Sequence, residues 1–198
     1  MARWEPDARG RLEKAAMELF QERGYARTTV EDIAARAGLT ERTFFRYFAD
    51  KREVLFSGSK ELEKSIVDHL AAAGPEVGPF DAVAGAFAAA GAWLEEQRDL
   101  EHVRARYALV SKHGEILERE LIKMAVLGAS VTKALHARGV SEPTASVTAE
   151  AGIAVFKVGF ERWVKGEEPE GFAAQVREAA KALKAATGER GAVAPSKR

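Results

Sequence analysis

The stretch from Thr29 to Lys51, TVEDIAARAGLTERTFFRYFADK, constrains the fold more than any other part of the chain. Val30, Ile33, Ala34 and Ala37 line one face of a short helix that Gly38 ends after about two turns. Thr40 can cap a third helix running to about Phe48. Ala34 stands four residues before Gly38. Two helices that cross closely need a small residue there. They also need Gly at the turn, where a left-handed backbone penalises a Cβ. Ile33, Ala37, Leu39, Phe44 and Phe48 supply an apolar wedge between the two helices. The spacing is that of a helix-turn-helix. Glu41, Arg42, Thr43 and Arg46 project away from the Phe44/Phe48 stripe, and such side chains can reach base edges in a major groove. The competing reading is a three-helix packing unit with no DNA role. Against it stand the shortness of the third helix and the residues on its outer face.

Helical periodicity dominates elsewhere too, and no strand pattern competes with it. Leu12, Ala15, Ala16, Leu19 and Phe20 make one stripe of a first helix, with Arg11, Glu13, Lys14, Glu18 and Glu22 outside it and Gly24 as its stop. Either Thr28 with Glu31 or Thr29 with Asp32 can open a capping box. Asp50 can cap a fourth helix, expected from Lys51 to Leu70. Ala71 to Phe80, with two glycines and two prolines, reads as a loop. Further helices are expected at about 80–97, 99–112, 115–138, 144–165 and 170–186, broken at Gly114, at Gly139 with Pro143, and at Gly166 with Pro169. The fold class is therefore all-α, with about nine helices. An N-terminal three-helix DNA-binding domain (1–52) precedes a C-terminal helical bundle (53–187). Residues 188–198 have little to bury and are expected to be a disordered tail.

Charge sharpens this reading only a little. Lys+Arg and Asp+Glu are both 30, a net of zero, which disfavours an architectural protein that coats DNA nonspecifically. Residues 1–52 hold 11 Lys+Arg against 9 Asp+Glu, and the remainder 19 against 21. The chain has no cysteine, so disulfides, thiolate metal sites and cysteine nucleophiles are excluded. The longest uncharged apolar run, Ala82 to Leu94, is too short to span a bilayer, which needs about 20 residues. No signal peptide is expected, and the location expected is the cytoplasm. There is no Gly-rich phosphate loop, no HExxH and no GxSxG. His69, His102, His113 and His136 have no metal-ligand spacing. The expectation is no enzyme, no cofactor and no metal.

The segment resembles the TetR family of regulators. The resemblance rests on Thr28-Thr29, on Ile33-Ala34-Ala35-Arg36-Ala37-Gly38, on Phe44-Phe45-Arg46-Tyr47-Phe48, and on Lys51. It extends through the first helix, with Ala16, Leu19, Phe20 and Gly24-Tyr25, and covers residues 9 to about 55. It implies that Thr29 and Thr40 cap their helices and offer groups to phosphates, and that Tyr47 and Lys51 grip phosphates. Glu41, Arg42, Thr43 and Arg46 would read bases or flank that readout. Phe45 departs from the pattern. The family usually has Tyr there, whose hydroxyl contacts a phosphate, and Tyr47 stands where His is commoner.

The resemblance also implies that the last two long helices form a four-helix dimer interface with a second copy. The sequence permits this through apolar faces that include Phe156, Phe160 and Trp163 on one helix and Val176 and Leu183 on the next. The competing reading packs those faces within one monomer. Middle helices can enclose a pocket for an apolar, aromatic or acyl-bearing ligand, with Trp93, His102, Arg106, Tyr107 and Met124 as candidate lining residues. The expected function is a ligand-responsive regulator, a repressor that binds a palindromic double-stranded DNA operator as a homodimer and is released by a small-molecule effector. The alternative is a helical small-molecule-binding or protein-interaction module with a vestigial DNA-binding unit.

Overall fold

The computed structural model describes residues 7–166 and 170–188. It contains nine α-helices and no strand among the described residues. The chain divides into two compact units. The first runs to Lys60 and takes in Glu101–Leu121; the second takes Glu61–Leu100 and the described residues from Ile122 onward.

In the first unit Asp7 caps α1 (Ala8–Arg23), its carboxylate accepting from the Gly10 amide at 3.0 Å. The expected stripe is the buried face: Leu12, Ala15, Ala16, Leu19 and Phe20 are at most 3% exposed. Of the two possible capping boxes, the chain uses Thr29 with Asp32. Thr29 accepts from the Asp32 amide, and Asp32 accepts from the Thr29 amide at 2.9 Å and its hydroxyl at 2.7 Å. Thr28 turns inward instead and donates to the Gly24 carbonyl at 3.0 Å. α2 (Val30–Arg36) ends at Gly38, where φ is +66° and the Leu39 amide returns to the Ala34 carbonyl at 2.8 Å. Thr40 then caps α3 (Glu41–Tyr47). Phe44 and Phe48 drive into a core shared with Leu12, Phe20 and Ile33.

The expected fourth helix from Lys51 to Leu70 is not continuous. Asp50 does cap, accepting from the Arg52 amide at 2.8 Å and the Glu53 amide at 3.0 Å, but what it caps is a 3-10 helix, Glu53–Phe56. Gly58, at φ +85°, redirects the chain, and α4 runs from Ser59 to Ala72. Val54, Leu55 and Phe56 are all at most 5% exposed, so the short 3-10 helix is covered on every side. α6 (Leu100–Lys112) and the start of α7 (Gly114–Ala137) complete this core with Val110 and Ile116. The first unit thus combines α1 to α3 and the 3-10 helix with Glu101–Leu121.

In the second unit α5 (Pro79–Gln97), α8 (Thr144–Lys165) and α9 (Phe172–Gly188) pack against one another. Phe172, fully buried, stacks on Trp163 at 5.1 Å between centroids and meets Phe156 at 5.0 Å. Arg138 donates to the carbonyls of Leu70, Ala73 and Gly74, closing the C-terminal end of α4. The tail expected to be disordered lies outside the described residues from 189 onward.

Two helix contacts are close enough to exclude any side chain. A Cβ at Gly159 would lie 2.9 Å from the Val176 backbone, and one at Gly152 would lie 2.3 Å from Val83 Cγ1. Gly85, exposed on α5, has nothing within 4 Å. Gly159→Ala is expected to lower unfolding stability by about 1–3 kcal/mol, whereas Gly85→Ala should raise it by up to about 1 kcal/mol. Urea denaturation of the two variants checks this pair of opposite signs. A second prediction concerns acid. Hydrogen bonds from Thr29, joined by the Arg23 guanidinium, hold the Asp32 carboxyl down to about 2. Its folded pKa lies below its unfolded value near 4, so its stabilisation is present above that value and is lost as pH falls toward 2. Asp32→Asn should therefore melt below wild type at pH 7, and the two melting curves should converge between pH 4 and pH 2.

Candidate nucleic-acid interface

Six of the seven residues of α3 fall in three rows, each a pair one helical turn apart: Glu41 with Phe45, Arg42 with Arg46, and Thr43 with Tyr47. Phe44 faces the core and is fully buried. Glu41, Arg42, Phe45, Arg46 and Tyr47 are exposed, and Thr43 is half-buried. Thr40 fixes the start of the helix, its hydroxyl oxygen accepting from the Thr43 amide at 3.2 Å. At the other end the Arg46 guanidinium lies 4.9 Å from the centroid of the Tyr47 ring and donates to its hydroxyl at 3.1 Å.

Electrostatics separate this surface from its surroundings. Around α2 the cations Arg36, on α2, and Arg23, at the end of α1, are spent on carboxylates. Arg36 donates to both oxygens of Glu22 at 2.9 and 2.7 Å, a pairing that holds the Glu22 carboxyl below its ordinary range. Arg23 pairs with Asp32 at 2.6 Å. Arg42 and Arg46 have no carboxylate partner among the described residues. Two guanidinium groups without a carboxylate partner thus stand along the centre of the exposed face, with the hydroxyls of Thr43 and Tyr47 on one side and Glu41 and Phe45 on the other. Such groups suit guanine edges and phosphate oxygens.

Lys51 occupies a different position from a free phosphate grip. Its ammonium donates to the carbonyls of Tyr25 and Thr28, each at 2.8 Å, and lies 4.4 Å from the Tyr25 ring centroid. Burial first, then the Glu115 and Asp50 carboxylates, push the Tyr25 phenol up to about 12. The sequence motif contained Tyr25 and Thr28, but nothing in their spacing marked their carbonyls as the seat of Lys51. Thr29 is exposed at the head of α2, with its hydroxyl used in the capping box.

The other candidates are scattered. Trp93 and Met124 belong to the second unit, and His102, Arg106 and Tyr107 to the first. Arg106 is held within the first unit, donating to the Leu55 carbonyl and to Glu120, each at 2.6 Å. Of the residues expected at a dimer interface, Phe156, Trp163 and Val176 are buried inside the second unit itself, and Phe160 and Leu183 are half-buried. The outward stripe of α8 is a different set: Val147 and Val158, 66% and 50% exposed, in line with Ala151 and Ala154. Among the described residues no three His, Cys, Asp or Glu side chains gather to hold a metal ion, and no helix is long and apolar enough to cross a membrane.

Residues 12–57 match the sequence profile of the bacterial regulatory proteins of the tetR family. Over 81 residues the chain is 38% identical to the HTH-type transcriptional regulator TcmR of Streptomyces glaucescens, an alignment covering 41% of this chain and 36% of that regulator. The chain thus spans about a third of the length of that relative. Thermus thermophilus FadR, a TetR-family transcriptional repressor solved in complex with lauroyl-CoA, shares the fold over 96% of this chain and all of its own, with a TM-score of 0.56 and 22% identity. The triclosan complex of SmeT, from Stenotrophomonas maltophilia, shares it over 90% of each chain, with a TM-score of 0.61 and 20% identity. Residues 12–57, on α1 to α3 and the 3-10 helix, thus carry the signature of the tetR family of bacterial regulatory proteins, within an all-helical fold like that of the solved structures.

Proposed function

We propose that this protein is a ligand-responsive transcriptional repressor that binds a palindromic operator as a homodimer, with α3 of each protomer in a major groove. The observation that carries the reading is the exposed row of Arg42 and Arg46, uncompensated by carboxylates, on a helix whose opposite side is buried through Phe44. On a short helix that Thr40 caps and Phe44 anchors, such a row is what base reading requires. FadR, solved with lauroyl-CoA, and SmeT, solved with triclosan, have this fold, and both bound molecules carry an apolar portion, an acyl chain or aromatic rings. They support an effector of that general kind for this chain, bound by the helices beyond the DNA-reading segment. Such an effector releases DNA only if it prefers the state that cannot bind operator.

The outward stripe of α8 supports dimerisation. Val147, Ala151, Ala154 and Val158 put apolar and small side chains on one exposed face, the arrangement by which a helix packs against its copy. Two half-sites read together give a useful affinity that one seven-residue helix does not. Under this reading Val158→Glu should leave each protomer folded and shift sedimentation from dimer to monomer. A variant that sediments like wild type would remove α8 from the interface.

DNA binding is tested by fluorescence anisotropy of the full chain against duplexes from its own upstream region and scrambled duplexes, at two salt concentrations. Tight, salt-sensitive binding to the native fragment alone is expected. Arg46→Ala should weaken that binding by about 1–3 kcal/mol and relax sequence preference. Lys51→Ala should weaken all sequences alike and lower the melting temperature, because it frees two carbonyls. Equal weak binding to native and scrambled DNA would sink the operator reading and favour a helical ligand-binding module instead.

A further inference from the structure

Phe45 stands apart on the interface. In the span from Asp7 to Lys60 it is the one large exposed side chain without a polar atom, 54% exposed. Single exposed apolar residues are ordinary on protein surfaces, so exposure alone says little. Its place is what matters. Phe45 follows Glu41 by one turn along the α3 face and borders the Arg42/Arg46 row. The fully buried Phe44 meets its ring edge-on, 5.6 Å between centroids at 84°, so the base of the Phe45 ring is braced by the core. Arg46 leans the other way, with its guanidinium hydrogen-bonded to Tyr47. The outer part of the Phe45 ring is left open beside two cations.

A phenyl ring cannot donate to a phosphate, so this position lacks the hydroxyl contact that Tyr would make. The sugar and base surfaces remain. Among base edges in the major groove, the C5-methyl of thymine is the one apolar group, and aromatic side chains are among its partners. Sugar packing would occur on any sequence, whereas methyl contact would not. We infer that Phe45 is a specificity-determining residue that takes the C5-methyl of a thymine adjoining the bases read by the arginine row. The inference rests on the proposed base-reading role of α3 and adds a defined apolar element to it. Each half-site then combines a polar, guanidinium-read position with a neighbouring methyl-read one.

The test uses the full chain and a randomised duplex pool. Duplexes selected by binding give a consensus, which is resynthesised with deoxyuridine replacing each thymidine in turn. The base pairing and every polar group are kept, and only the methyl is removed. At one position per half-site deoxyuridine should weaken wild-type binding about threefold to tenfold, the scale of one lost methyl contact or somewhat more. Phe45→Ala should bind the thymidine and deoxyuridine duplexes equally while keeping the preference at the arginine-read position. Arg46→Ala should show the reverse pattern, with guanine preference lost and methyl sensitivity retained. The inference is overturned if no deoxyuridine position matters to wild type. It is equally overturned if Phe45→Ala stays methyl-sensitive and loses affinity for selected and random DNA alike, which is the signature of sugar packing. A pool that yields no consensus would refute base reading by α3 itself, a failure distinct from that of Phe45.

Discussion

Lys51 carries its ammonium beneath the loop that joins α1 to α2, 2.8 Å from the carbonyls of Tyr25 and Thr28 and against the face of the Tyr25 ring. The position of α3 depends on this contact. A seven-residue helix has little stability of its own, because the cost of nucleating a helix is spread over too few hydrogen bonds. It is held by Phe44 and Phe48 on its inner side, by Thr40 before it and by the Asp50–Lys51 turn after it. Charge-assisted hydrogen bonds are worth about 1.5–3 kcal/mol each, so two of them weigh as much as a buried side chain. The Tyr25 phenol is neutral at ordinary pH, and the ammonium meets carbonyl dipoles and a ring face there. Of its three N–H groups, two are spent inside the protein. The residue that orients α3 therefore has at most one donor left for a phosphate.

The first three helices were legible in the sequence because each is specified locally. The 3.6-residue stripe of α1, the Thr caps of α2 and α3 and the glycine at 38 all act within a few residues of themselves. The choice between Thr28 and Thr29 was not local. It turns on Thr28 being drawn inward to the Gly24 carbonyl, a contact that only the folded loop creates. The 3-10 helix at 53–56 was hidden for the same reason. Glu-Val-Leu-Phe has ordinary helical composition, and only the folded chain shows Val54, Leu55 and Phe56 buried together in the core that α1 and residues of α6 and α7 build.

The outer face of α3 was readable because its burial partners, Phe44 and Phe48, lie on the same short helix. The apolar faces of α8 and α9 were not readable in this way. A sequence shows that Phe156, Trp163 and Val176 must be covered, but not by what. Intramolecular packing around Phe172 covers them and leaves Val147 and Val158 outside. Arg106 shows the same limit. Its spacing on an amphipathic helix suits a pocket wall as well as an ion pair, and the structure gives it Glu120 and the Leu55 carbonyl.

That ion pair bears on how an effector could be felt at the DNA-reading surface. Arg106 and Arg119 place their guanidinium groups over the Phe56 ring, at 5.2 and 4.9 Å from its centroid. Arg119 also holds both carboxylate oxygens of Glu53, at 2.7 and 3.1 Å. The 3-10 helix is thus gripped at Glu53, Leu55 and Phe56 by residues of α6 and α7, and Glu53 lies two residues from Lys51. α7 is a single helix whose residues through Leu121 belong to the first unit and whose remainder belongs to the second. Any effector that displaces α7 along its axis must either carry the 3-10 helix with it or break these contacts. Allosteric couplings are typically about 1–3 kcal/mol. An exposed ion pair rarely supplies that much, but Arg119–Glu53 and Arg106–Glu120 have side chains only 20–28% exposed and share one aromatic ring. They join α6, α7 and the 3-10 helix into one network of ion pairs around the Phe56 ring, two residues from the turn that seats Lys51.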